Sequence, residues 1–551
     1  MIKYFLVNND SRAAVYGIGT YIKQLVDCIQ YSLKQYELCF LDIYSDVNEF
    51  VIEKDERGFS HYKMPSFRGS RNSFPYNKCI LYLLDSYIKE NDEIIFHFNY
   101  SQHYDLIRLI KAKYKFSRIL YTVHYLNWCF ALNGNLTRFR KLIHNEADDE
   151  IKKTIQDEYQ SDRRLFSLCD DIIVLAKSTY DLLIEDYKQD RTKIHLVYNG
   201  LKIEPTLARY CNIEESPKEI LFVGRLDAIK GIEYIIKAFR IVSTLIEDTH
   251  LTLVGDGNFS HYLSLCEGIW NKVTFTGKLA KEQLEHFFCK ATIGIQPSFH
   301  EQCSYSAIEM MAHGIPFIAT DSTGLGEMMD YTPECLIHID EDDFQPDIFV
   351  KQLANKMELL LSDRKLRGKT SEMLMRLFYE RYNLGSMGEA LKKLLNTPKQ
   401  SDDILSEAFM PYLDNEMIRL INNRPTLDMD YVGLTGIGCY LWWRICYLDK
   451  QSDKTSLYMS AKLQEHLIYH IDWMYDTIYN NQEYAFSDDF DEIPFLWLLQ
   501  GLHEKGVYKT KINELTELLK HTKKDMFYID VSFVEHNVIL QNALKIYNSN
   551  F

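Results

Sequence analysis

Several features that would assign this chain to a common class of protein are missing from its 551 residues. The 12 cysteines are scattered without a CxxC pair, which is typical of a protein kept reduced, so we expect a cytoplasmic location. No apolar run reaches the roughly 18 residues that a membrane-spanning helix requires. The apolar start, residues 1–7, meets polar Asn8, Asn9 and Asp10 at once, which is too short for a signal peptide.

Positive charge is also in deficit. The chain has 62 Lys plus Arg against 78 Asp plus Glu, a formal charge of -16, which argues against general nucleic-acid binding. The excess is uneven, because residues 401–551 hold 23 acidic and 13 basic side chains and so contribute -10 of the total. The first 400 residues are close to neutral, and the acidic tail is predicted to be a separate region.

What the sequence does contain is a repeated alternation of short β-branched or aromatic runs with helical patterns. In the first 200 residues this alternation predicts a doubly wound parallel sheet. The predicted strands there are residues 3–7, 37–43, 93–98, 118–123, 171–175 and 193–197.

The pattern restarts after a turn at residues 197–201. A second set of strands is predicted at residues 220–223, 250–254, 272–276, 292–296 and 316–320. Ligands of such sheets bind at the carboxyl ends of the strands, so we expect the active site in a cleft between two α/β domains.

The segment Phe299-His300-Glu301-Gln302-Cys303-Ser304-Tyr305-Ser306-Ala307-Ile308-Glu309 predicts a loop that becomes a helix. Ser304 or Ser306 is the expected N-cap, and Gly314 the stop. Free amides at a helix start bind phosphate, and two carboxylates flanking that position accept hydrogen bonds from sugar hydroxyls. A Glu pair with this spacing is also common on exposed surfaces, so the pair alone is weak support.

Three further elements precede that segment in a fixed order. Phe222-Val223-Gly224-Arg225-Leu226 ends a predicted strand, Lys230-Gly231 follows five residues after Arg225, and Val254-Gly255-Asp256-Gly257 ends the next strand. Together with Glu301 and Glu309, this ordered set resembles the donor-binding half of retaining GT-B glycosyltransferases of family 4, whose signature is Glu, seven residues, Glu.

The resemblance implies an α/β fold of the GT-B type, with two Rossmann-like domains facing a cleft. The first domain would span residues 1–200 and the nucleotide-sugar-binding domain residues 201–397, with a terminal helix near 377–397 that crosses back. A linker is predicted at residues 397–403. A mainly α-helical accessory domain would then occupy residues 402–551.

The resemblance also implies roles for the donor-site residues. Arg225 and Lys230 would meet the diphosphate and stabilise the charge that develops on it. Glu301 would accept from hydroxyls of the transferred sugar, and Glu309 from the two ribose hydroxyls. Gly224 and the backbone of residues Cys303, Ser304 and Tyr305 would lie against the donor.

One position departs from the family pattern. Many members have a glycine three residues after the first Glu, whereas this chain has Ser304. Because a serine still donates through its amide and hydroxyl, we expect an altered donor site rather than a lost one.

In the first domain, Gly17-Ile18-Gly19 opens a predicted helix after the first strand. Gly17 and Gly19 match the loop where, in the resembling family, backbone approaches the diphosphate and acceptor. His124 ends a strand, and a His here contacts the donor sugar in related enzymes; a satisfied buried histidine is the alternative. The neighbouring strand ends in His97-Phe98-Asn99.

Other signals favour simpler interpretations. Arg138, Arg140 and Lys141 could contact an anionic membrane surface, but a solvated helix face is favoured. Asp428-Met429-Asp430 has the DxD form of a metal-diphosphate site without a strand before it, and the acidic run 488–492 is interpreted as a solvated loop. We therefore expect no catalytic metal and no cofactor besides the nucleotide sugar.

The tail has one faint resemblance. Residues 433–438, which contain three glycines, resemble the glycine-rich helix starts of α/α-toroid proteins such as lanthionine cyclases. Those enzymes bind zinc, but the spacing of Cys439, Cys446, His466 and His470 fits no metal motif, and a buried structural role for both cysteines is favoured.

The sequence therefore predicts a glycosyltransferase that transfers a sugar from a nucleoside diphosphate sugar, UDP favoured over GDP, to an acceptor hydroxyl with retained configuration. The acceptor would be a glycan, a lipid-linked glycan or a peptide. The alternative is a non-catalytic GT-B subunit that binds an acceptor, or a partner transferase through residues 402–551.

Overall fold

A computed structural model describes residues 2–9, 17–66, 74–89, 92–114, 116–144, 150–202, 217–397, 410–424, 434–450 and 454–480, and a few residues between 498 and 513. The chain divides into two compact units. The first comprises Met1–Arg108 and Phe116–Thr397, and the second Leu109–Lys115 and Pro398–Phe551.

The first unit begins with an eight-stranded sheet, here called the first domain. Its strands are β1 (Ile2–Asn9), β2 (Tyr36–Ser45), β3 (Val51–Lys54), β4 (Ser60–Pro65), β5 (Ile94–Phe98), β6 (Ser117–Val123), β7 (Asp171–Val174) and β8 (Ile194–Leu196). Their order is β3-β4-β2-β1-β5-β6-β7-β8, parallel except that β3 runs antiparallel to β4. The associated helices are α1 (Gly17–Ser32), α2 (Phe74–Leu84), α3 (Tyr104–Lys113), α4 (Trp128–Ala131), α5 (Leu136–Ile143), α6 (Lys152–Leu168) and α7 (Lys177–Glu185).

A second, six-stranded parallel sheet follows in the same unit, here called the second domain. Its strands are β9 (Lys218–Val223), β10 (Thr249–Val254), β11 (Val273–Gly277), β12 (Ala291–Gln296), β13 (Phe317–Thr320) and β14 (Leu336–Ile337), in the order β11-β10-β9-β12-β13-β14. Its helices are α8 (Ile232–Leu245), α9 (Phe259–Ser264), α10 (Lys281–Lys290), α11 (Tyr305–Ala312), α12 (Thr323–Met328), α13 (Pro346–Ser362), α14 (Arg364–Leu377) and α15 (Leu384–Asn396).

The strand order of both sheets reverses beside the first strand of each. In the first domain β1 lies between β2 and β5, and in the second domain β9 lies between β10 and β12. At such a reversal the connecting helices leave in opposite directions and open a crevice at the carboxyl ends of the strands, where ligands of α/β proteins bind. The segments after β9 and β12 contain Arg225, Lys230 and Glu301.

The predicted α/β architecture is confirmed, and every strand predicted from the sequence is present to within a few residues. The parallel strands are apolar because both faces are covered; in β1, residues Tyr4, Phe5, Leu6 and Val7 are all fully buried. The sequence did not predict β3, β4 and β14. β3 and β4 form a hairpin at one edge, and β14 is only two residues long.

The chain passes between the two domains twice, at neighbouring positions. Leu201 follows β8 and forms an isolated bridge with Asn383, with Leu201 N donating to Tyr382 O (2.9 Å) and Leu384 N to Leu201 O (3.2 Å). After Asn383, α15 returns to the first domain, where Cys28 Sγ in α1 donates to Leu384 O (3.4 Å).

The helix predicted near residues 377–395 is not continuous. A single π-helical turn, Phe378–Tyr382, follows α14, and Asn383 then has an extended backbone (φ -85°, ψ 162°). The Asn383 side chain accepts from Ser386 N (3.0 Å) and caps α15, so a new helix begins there in place of the old one.

The described part of the second unit is helical, as predicted. Its described helices are α16 (Met410–Asn423), α17 (Leu434–Leu448) and α18 (Lys454–Asn480). Asp414, fully buried in α16, accepts from Tyr440 Oη (2.7 Å) and Arg444 Nε (3.1 Å) of α17. This buried ion pair joins α16 to α17.

Several of the tail residues considered in the sequence lie within the described ranges, and there they have structural roles. Cys439 is buried and Cys446 partly buried, while His470 Nε2 donates to Leu434 O (2.7 Å). Gly436 and Gly438 lie inside α17 and do not open it. The linker after Thr397, Gly433, the DxD run and the acidic run 488–492 lie outside the described residues.

None of the described helices is both long enough and apolar enough to cross a membrane.

Candidate active site

The loops after β9 and β12 bring Lys230 and Glu301 together at the strand-order reversal of the second domain. Phe299 N donates to Ile229 O (2.8 Å) and so ties one loop to the other. Lys230 Nζ forms an ion pair with the Glu301 carboxylate, and both side chains are largely buried. Gly231, with φ +73°, lets the chain turn from Lys230 into α8; a Cβ there would lie 2.5 Å from Pro297 O.

Arg225 lies two residues beyond the end of β9, in the same connection that contains Lys230. Leu226 N donates to Asp256 O (2.8 Å), which fixes this loop against the end of β10. The guanidinium pairs with Asp227 (3.1 Å), and its side chain is 42% exposed. Two cations therefore follow the same strand, one exposed and one buried against a carboxylate.

Helix α11 begins between the two glutamates. Ser304 is its N-cap, and its Oγ accepts from Ala307 N (3.4 Å), which settles the choice that the sequence left open between Ser304 and Ser306. Within the described residues, the amides of Tyr305 and Ser306 donate to no partner. Two unbonded N–H groups at a helix N-terminus suit an anion.

A hydrogen-bonded chain connects that helix start to the sheet. Gln296 Nε2, at the end of β12, donates both to Val223 O (3.0 Å) at the end of β9 and to Ser306 Oγ (3.0 Å). Ser306 Oγ also lies 3.0 Å from Ser304 Oγ. Gln296 thereby sets the position of α11 relative to β9, a role that sequence analysis missed.

Glu309, five residues after the N-cap of α11, is partly exposed. Burial raises the pKa of its carboxyl to about 7, and the negative charge of Glu285 acts in the same direction. No described residue hydrogen-bonds to this carboxyl. Its oxygens remain acceptors that no described protein donor uses.

The backbone of Glu301 is held from the opposite side by residues 323 and 324. Thr323 Oγ1 donates to Glu301 O and accepts from Glu301 N (3.0 Å), and Gly324 N donates to Glu301 O (2.7 Å). A Cβ at Gly324 would lie 1.5 Å from Gln302 O, so only glycine fits. Thr323 itself has φ +37°, a strained value for a β-branched residue.

The segment between the glutamates also contacts the first domain. Asn199 Nδ2 donates to Cys303 O (2.6 Å), and Thr179 Oγ1 donates to Gln302 Oε1 (2.9 Å). The Cys303 side chain is buried, which raises the pKa of its thiol. Cys303 therefore contributes backbone rather than a reactive sulfur.

A third bridge between the domains involves Glu327 in α12. Its carboxylate accepts from Lys177 N (2.8 Å), the first residue of α7, and from Tyr198 Oη (3.1 Å). A carboxylate at a helix N-terminus is favourably placed. Burial raises the pKa of Glu327 to about 7.

In the first domain, His124 follows β6 and is partly exposed. Its Nε2 lies 2.9 Å from Asn99 Oδ1, and the edge of Tyr21 in α1 packs on its ring with centroids 4.7 Å apart. Burial lowers the pKa of His124 to about 3, so the imidazole is neutral.

His97 has a structural role: it is a buried histidine whose polar atoms are satisfied, the alternative given above for a histidine at the end of a strand. It is fully buried, with Nδ1 2.5 Å from Tyr4 Oη and Nε2 2.7 Å from Thr122 Oγ1. Both ring nitrogens are therefore bonded inside the domain. Thr122 Oγ1 also lies 3.1 Å from Tyr21 Oη, so this network reaches the residue that packs on His124.

Gly17 and Gly19 open α1, as predicted. A Cβ at Gly17 would meet no atom of the described residues within 4 Å. Four residues after Gly17, Tyr21 contacts His124, which places the start of this helix beside the end of β6. The two glycines and His124 thus belong to one region.

His300, beside Glu301, was not selected from the sequence. Neither ring nitrogen has a hydrogen-bond partner among the described residues, and the same is true of Ser298 Oγ and Tyr305 Oη. Burial lowers the pKa of His300 to about 4. Native proteins rarely leave several buried polar atoms unpaired in one segment, so these atoms are candidate ligand contacts.

The predicted basic surface on α5 is partly neutralised by ion pairs. Arg140 pairs with Asp186 (2.8 Å) and Lys141 with Asp342 (2.8 Å). The second of these pairs joins the two domains of the first unit. Within the described ranges, no group of three or more His, Cys, Asp or Glu side chains is arranged to hold a metal ion.

Comparison with known proteins agrees with the architecture of the second domain. Residues 217–363 match the family model described as Glycosyl transferases group 1. An uncharacterized glycosyltransferase of Methanocaldococcus jannaschii is 28% identical over 174 residues, 29% of this chain and 44% of that protein. Alpha-D-kanosaminyltransferase of Streptomyces kanamyceticus is 27% identical over 176 residues, 31% of this chain and 44% of that protein. The chain spans about half the length of the curated relatives that it matches.

Solved structures resemble this chain over 72% of its length. Sucrose-phosphate synthase of Thermosynechococcus elongatus gives a TM-score of 0.55 at 17% identity, covering 72% of this chain and 98% of that one. Anabaena HepE, solved in complex with UDP and glucose, gives 0.51 at 12% identity, covering 72% of this chain and 100% of that one. The predicted GT-B fold of two Rossmann-like domains is thereby confirmed.

Proposed function

We propose that this protein is a retaining glycosyltransferase that transfers a sugar from a nucleoside diphosphate sugar to an acceptor hydroxyl. The Lys230–Glu301 ion pair is the observation that supports this most strongly. It lies at the strand-order reversal of the domain that resembles group 1 glycosyltransferases, and it combines a cation with a carboxylate that can accept from hydroxyls. That is where an α/β sheet binds its ligand.

The remaining donor contacts follow from the same geometry. The diphosphate would lie at the N-terminus of α11, with Arg225 and Lys230 opposite it. Glu309, whose carboxyl has no described donor, would accept from the ribose hydroxyls. UDP is proposed over GDP, in keeping with the UDP held by HepE, a protein of the same fold.

In the proposed reaction, the main role of these residues is to stabilise charge. As the bond from the sugar C1 to the diphosphate oxygen breaks, negative charge develops on the departing phosphate, and two fixed cations lower the energy of that state. The acceptor oxygen forms the new bond on the same face, and its proton passes to the departing phosphate oxygen. No protein nucleophile is required, and positioning supplies the rest of the rate enhancement.

The first domain is proposed to hold the acceptor and the sugar. His124 would contact the transferred sugar, and backbone at Gly17 and Gly19 would approach the diphosphate and the acceptor. We propose a glycan, lipid-linked or peptide acceptor, in synthesis of a cell-surface glycan or in peptide or natural-product glycosylation, and a cytoplasmic site of action. A partner protein bound through residues 402–551 stays a prediction.

The test is a screen of mass-tagged UDP-sugars and GDP-sugars for enzyme-dependent hydrolysis, with wild type, Arg225→Ala and Glu309→Ala compared. We expect one donor to be hydrolysed, and both variants to lose most of the activity. Lys237→Ala, which removes an exposed lysine of α8, is the matched control. If wild type turns over no donor, or if both site variants match it, the proposal is wrong and the non-catalytic alternative is favoured.

A further inference from the structure

Asn99 lies at the carboxyl end of β5, directly after Phe98. The sheet order puts β5 between β1 and β6, so Asn99 stands at the strand-order reversal of the first domain. It is 1% exposed, and its side chain reaches sideways to the end of β6, where His124 follows Val123. The two residues are neighbours because Phe98 pairs with Tyr121 in the sheet.

The contact between them fixes the position of a proton. Asn99 Oδ1 is a carbonyl oxygen and can only accept, so His124 Nε2, at 2.9 Å, must be the donor. A neutral imidazole has one N–H, so Nδ1 is left with a lone pair. His124 therefore offers its free side as a hydrogen-bond acceptor, which suits a hydroxyl group and not a phosphate oxygen.

The ring is also held against rotation. The edge of Tyr21 packs on it, and Tyr21 Oη is 3.1 Å from Thr122 Oγ1, which in turn bonds to His97. Tyr21 and Thr122 are both completely buried. His124 thus keeps one orientation as well as one tautomer.

Asn99 has a second polar atom with no assigned task. Its Nδ2 is buried and hydrogen-bonds to no described residue. A buried amide with one end bonded and the other end unpaired is costly to maintain unless a ligand or water completes it. This indicates that Asn99 serves the site rather than the stability of the sheet.

We propose that Asn99 is a positioning residue that holds His124 as the Nε2–H tautomer, so that His124 Nδ1 accepts a hydrogen bond from a hydroxyl of the transferred sugar. The sugar contact rests on the proposed function, whereas the tautomer does not. The proposal adds a specificity element on the side of the cleft opposite Glu301. It predicts that donors lacking one hydroxyl lose affinity through His124.

The tautomer can be read directly in the full-length protein by NMR with 15N-labelled histidine. The His124 signals are assigned by their loss in His124→Gln. In wild type we expect a protonated Nε2 and an unprotonated Nδ1. A protonated Nδ1 with an unprotonated Nε2 would overturn the proposal whether or not the protein turns over any donor.

Two variants of Asn99 test the positioning role. Asn99→Asp keeps an oxygen facing His124, so Nε2 should stay protonated. Asn99→Ala removes the acceptor, so the Nδ1–H form should appear and kcat/KM for the donor should fall about tenfold. Asn77→Ala, which removes another buried amide of the same domain, should change neither the His124 signals nor kcat/KM.

The outcomes distinguish a failure of the Asn99 and His124 assignments from a failure of the proposed function. If Asn99→Ala keeps the wild-type His124 signals and kcat/KM, the positioning role is wrong. If wild type shows the Nε2–H form but hydrolyses none of the donors, the proposed function fails while the tautomer assignment stands. If Asn99→Ala does not fold, the wild-type spectrum and Asn99→Asp still decide the question.

Discussion

Lys230 and Glu301, 71 residues apart in the chain, form an ion pair between the loops that follow β9 and β12. Both side chains are largely buried, and the pair is present without a donor. Donor binding, in the proposed function, replaces that mutual contact with bonds to a diphosphate and to sugar hydroxyls. The pair keeps both groups in place without leaving a buried charge uncompensated.

Lys230→Ala is expected to lower kcat for donor hydrolysis by about 10²–10³-fold, because one charge that stabilises the departing phosphate is lost. Lys237, in α8, pairs with exposed Glu233, and Lys237→Ala is the matched control. Steady-state kinetics with the best donor of the screen would measure the effect. A Lys230→Ala enzyme with kcat within about twofold of wild type would contradict this role.

Donor affinity is expected to improve as pH rises through about 7. Burial raises the pKa of Glu309 to about 7, and the ionised carboxylate is the better acceptor for ribose hydroxyls. KM for the donor should therefore fall across that range in wild type. Glu309→Gln should show a higher KM and lack this dependence; a wild-type KM that rises with pH would speak against the assignment.

The same carboxyl predicts a trend in stability. Its folded pKa lies above the ordinary value of 4.5, so the folded state holds the proton more tightly than the unfolded state. This contribution is fully present below pH 4.5 and is lost as pH rises through about 7. Denaturant unfolding without donor should show a smaller loss over that range in Glu309→Gln than in wild type, and an equal loss in both would refute the prediction.

Gly324→Ala tests the support of Glu301. The new Cβ would lie 1.5 Å from Gln302 O, so the loop must move, and we expect a loss of about 1–3 kcal/mol of unfolding free energy together with a higher donor KM. Gly368→Ala is the control, because a Cβ at this helical position meets no described atom within 4 Å and should stabilise by up to about 1 kcal/mol. Equal thermal stability of Gly324→Ala and wild type would show that the loop yields freely.

Glu327→Ala should loosen the contact between the two domains of the first unit. The amide of Lys177 loses its acceptor, so hydrogen exchange in the peptide containing Lys177 should accelerate by about tenfold or more. Glu334→Ala removes an exposed carboxylate of the same domain and should leave this peptide unchanged. Unaltered exchange at Lys177 in Glu327→Ala would mean that the bridge does not limit opening.

Arg444→Leu addresses the second unit. It leaves the buried carboxylate of Asp414 without its cation, and breaking such a pair costs about 3–5 kcal/mol. We expect an earlier melting transition by circular dichroism, with donor hydrolysis retained at temperatures below it. Loss of hydrolysis in protein that is still folded would assign the second unit a part in donor turnover.

The sequence predicted the elements whose signal is local. Apolar runs such as residues 3–7 and 250–254 indicate buried parallel strands, and the local residues narrow the N-cap of α11 to Ser304 or Ser306. Contacts set by distant residues could not be predicted in this way. Nothing near Glu301 indicates that Thr323 and Gly324 will hold its backbone, because that depends on where the chain returns after β13.

Polar residues at strand ends were the hardest to interpret. His97 and His124 look alike in sequence, each at the end of an apolar run, yet His97 is buried between Tyr4 and Thr122 while His124 is partly exposed. A shift of one residue along a strand exchanges its two faces, so the strand boundary decides which histidine is available. The helix break at Asn383 was also not predictable from apolar spacing. That spacing predicts one continuous helix, whereas the Asn383 side chain caps a new one.

The paired crossing at Leu201 and Asn383 restricts how the cleft opens. One covalent connection alone would let the two domains swing and twist about a single point. Two parallel segments that are bridged to each other leave chiefly one rotation, about an axis through the bridge. Any opening about this axis would return Arg225 and His124 to the same relative positions, so the bridge between Leu201 and Asn383 would set the accuracy of the closed geometry.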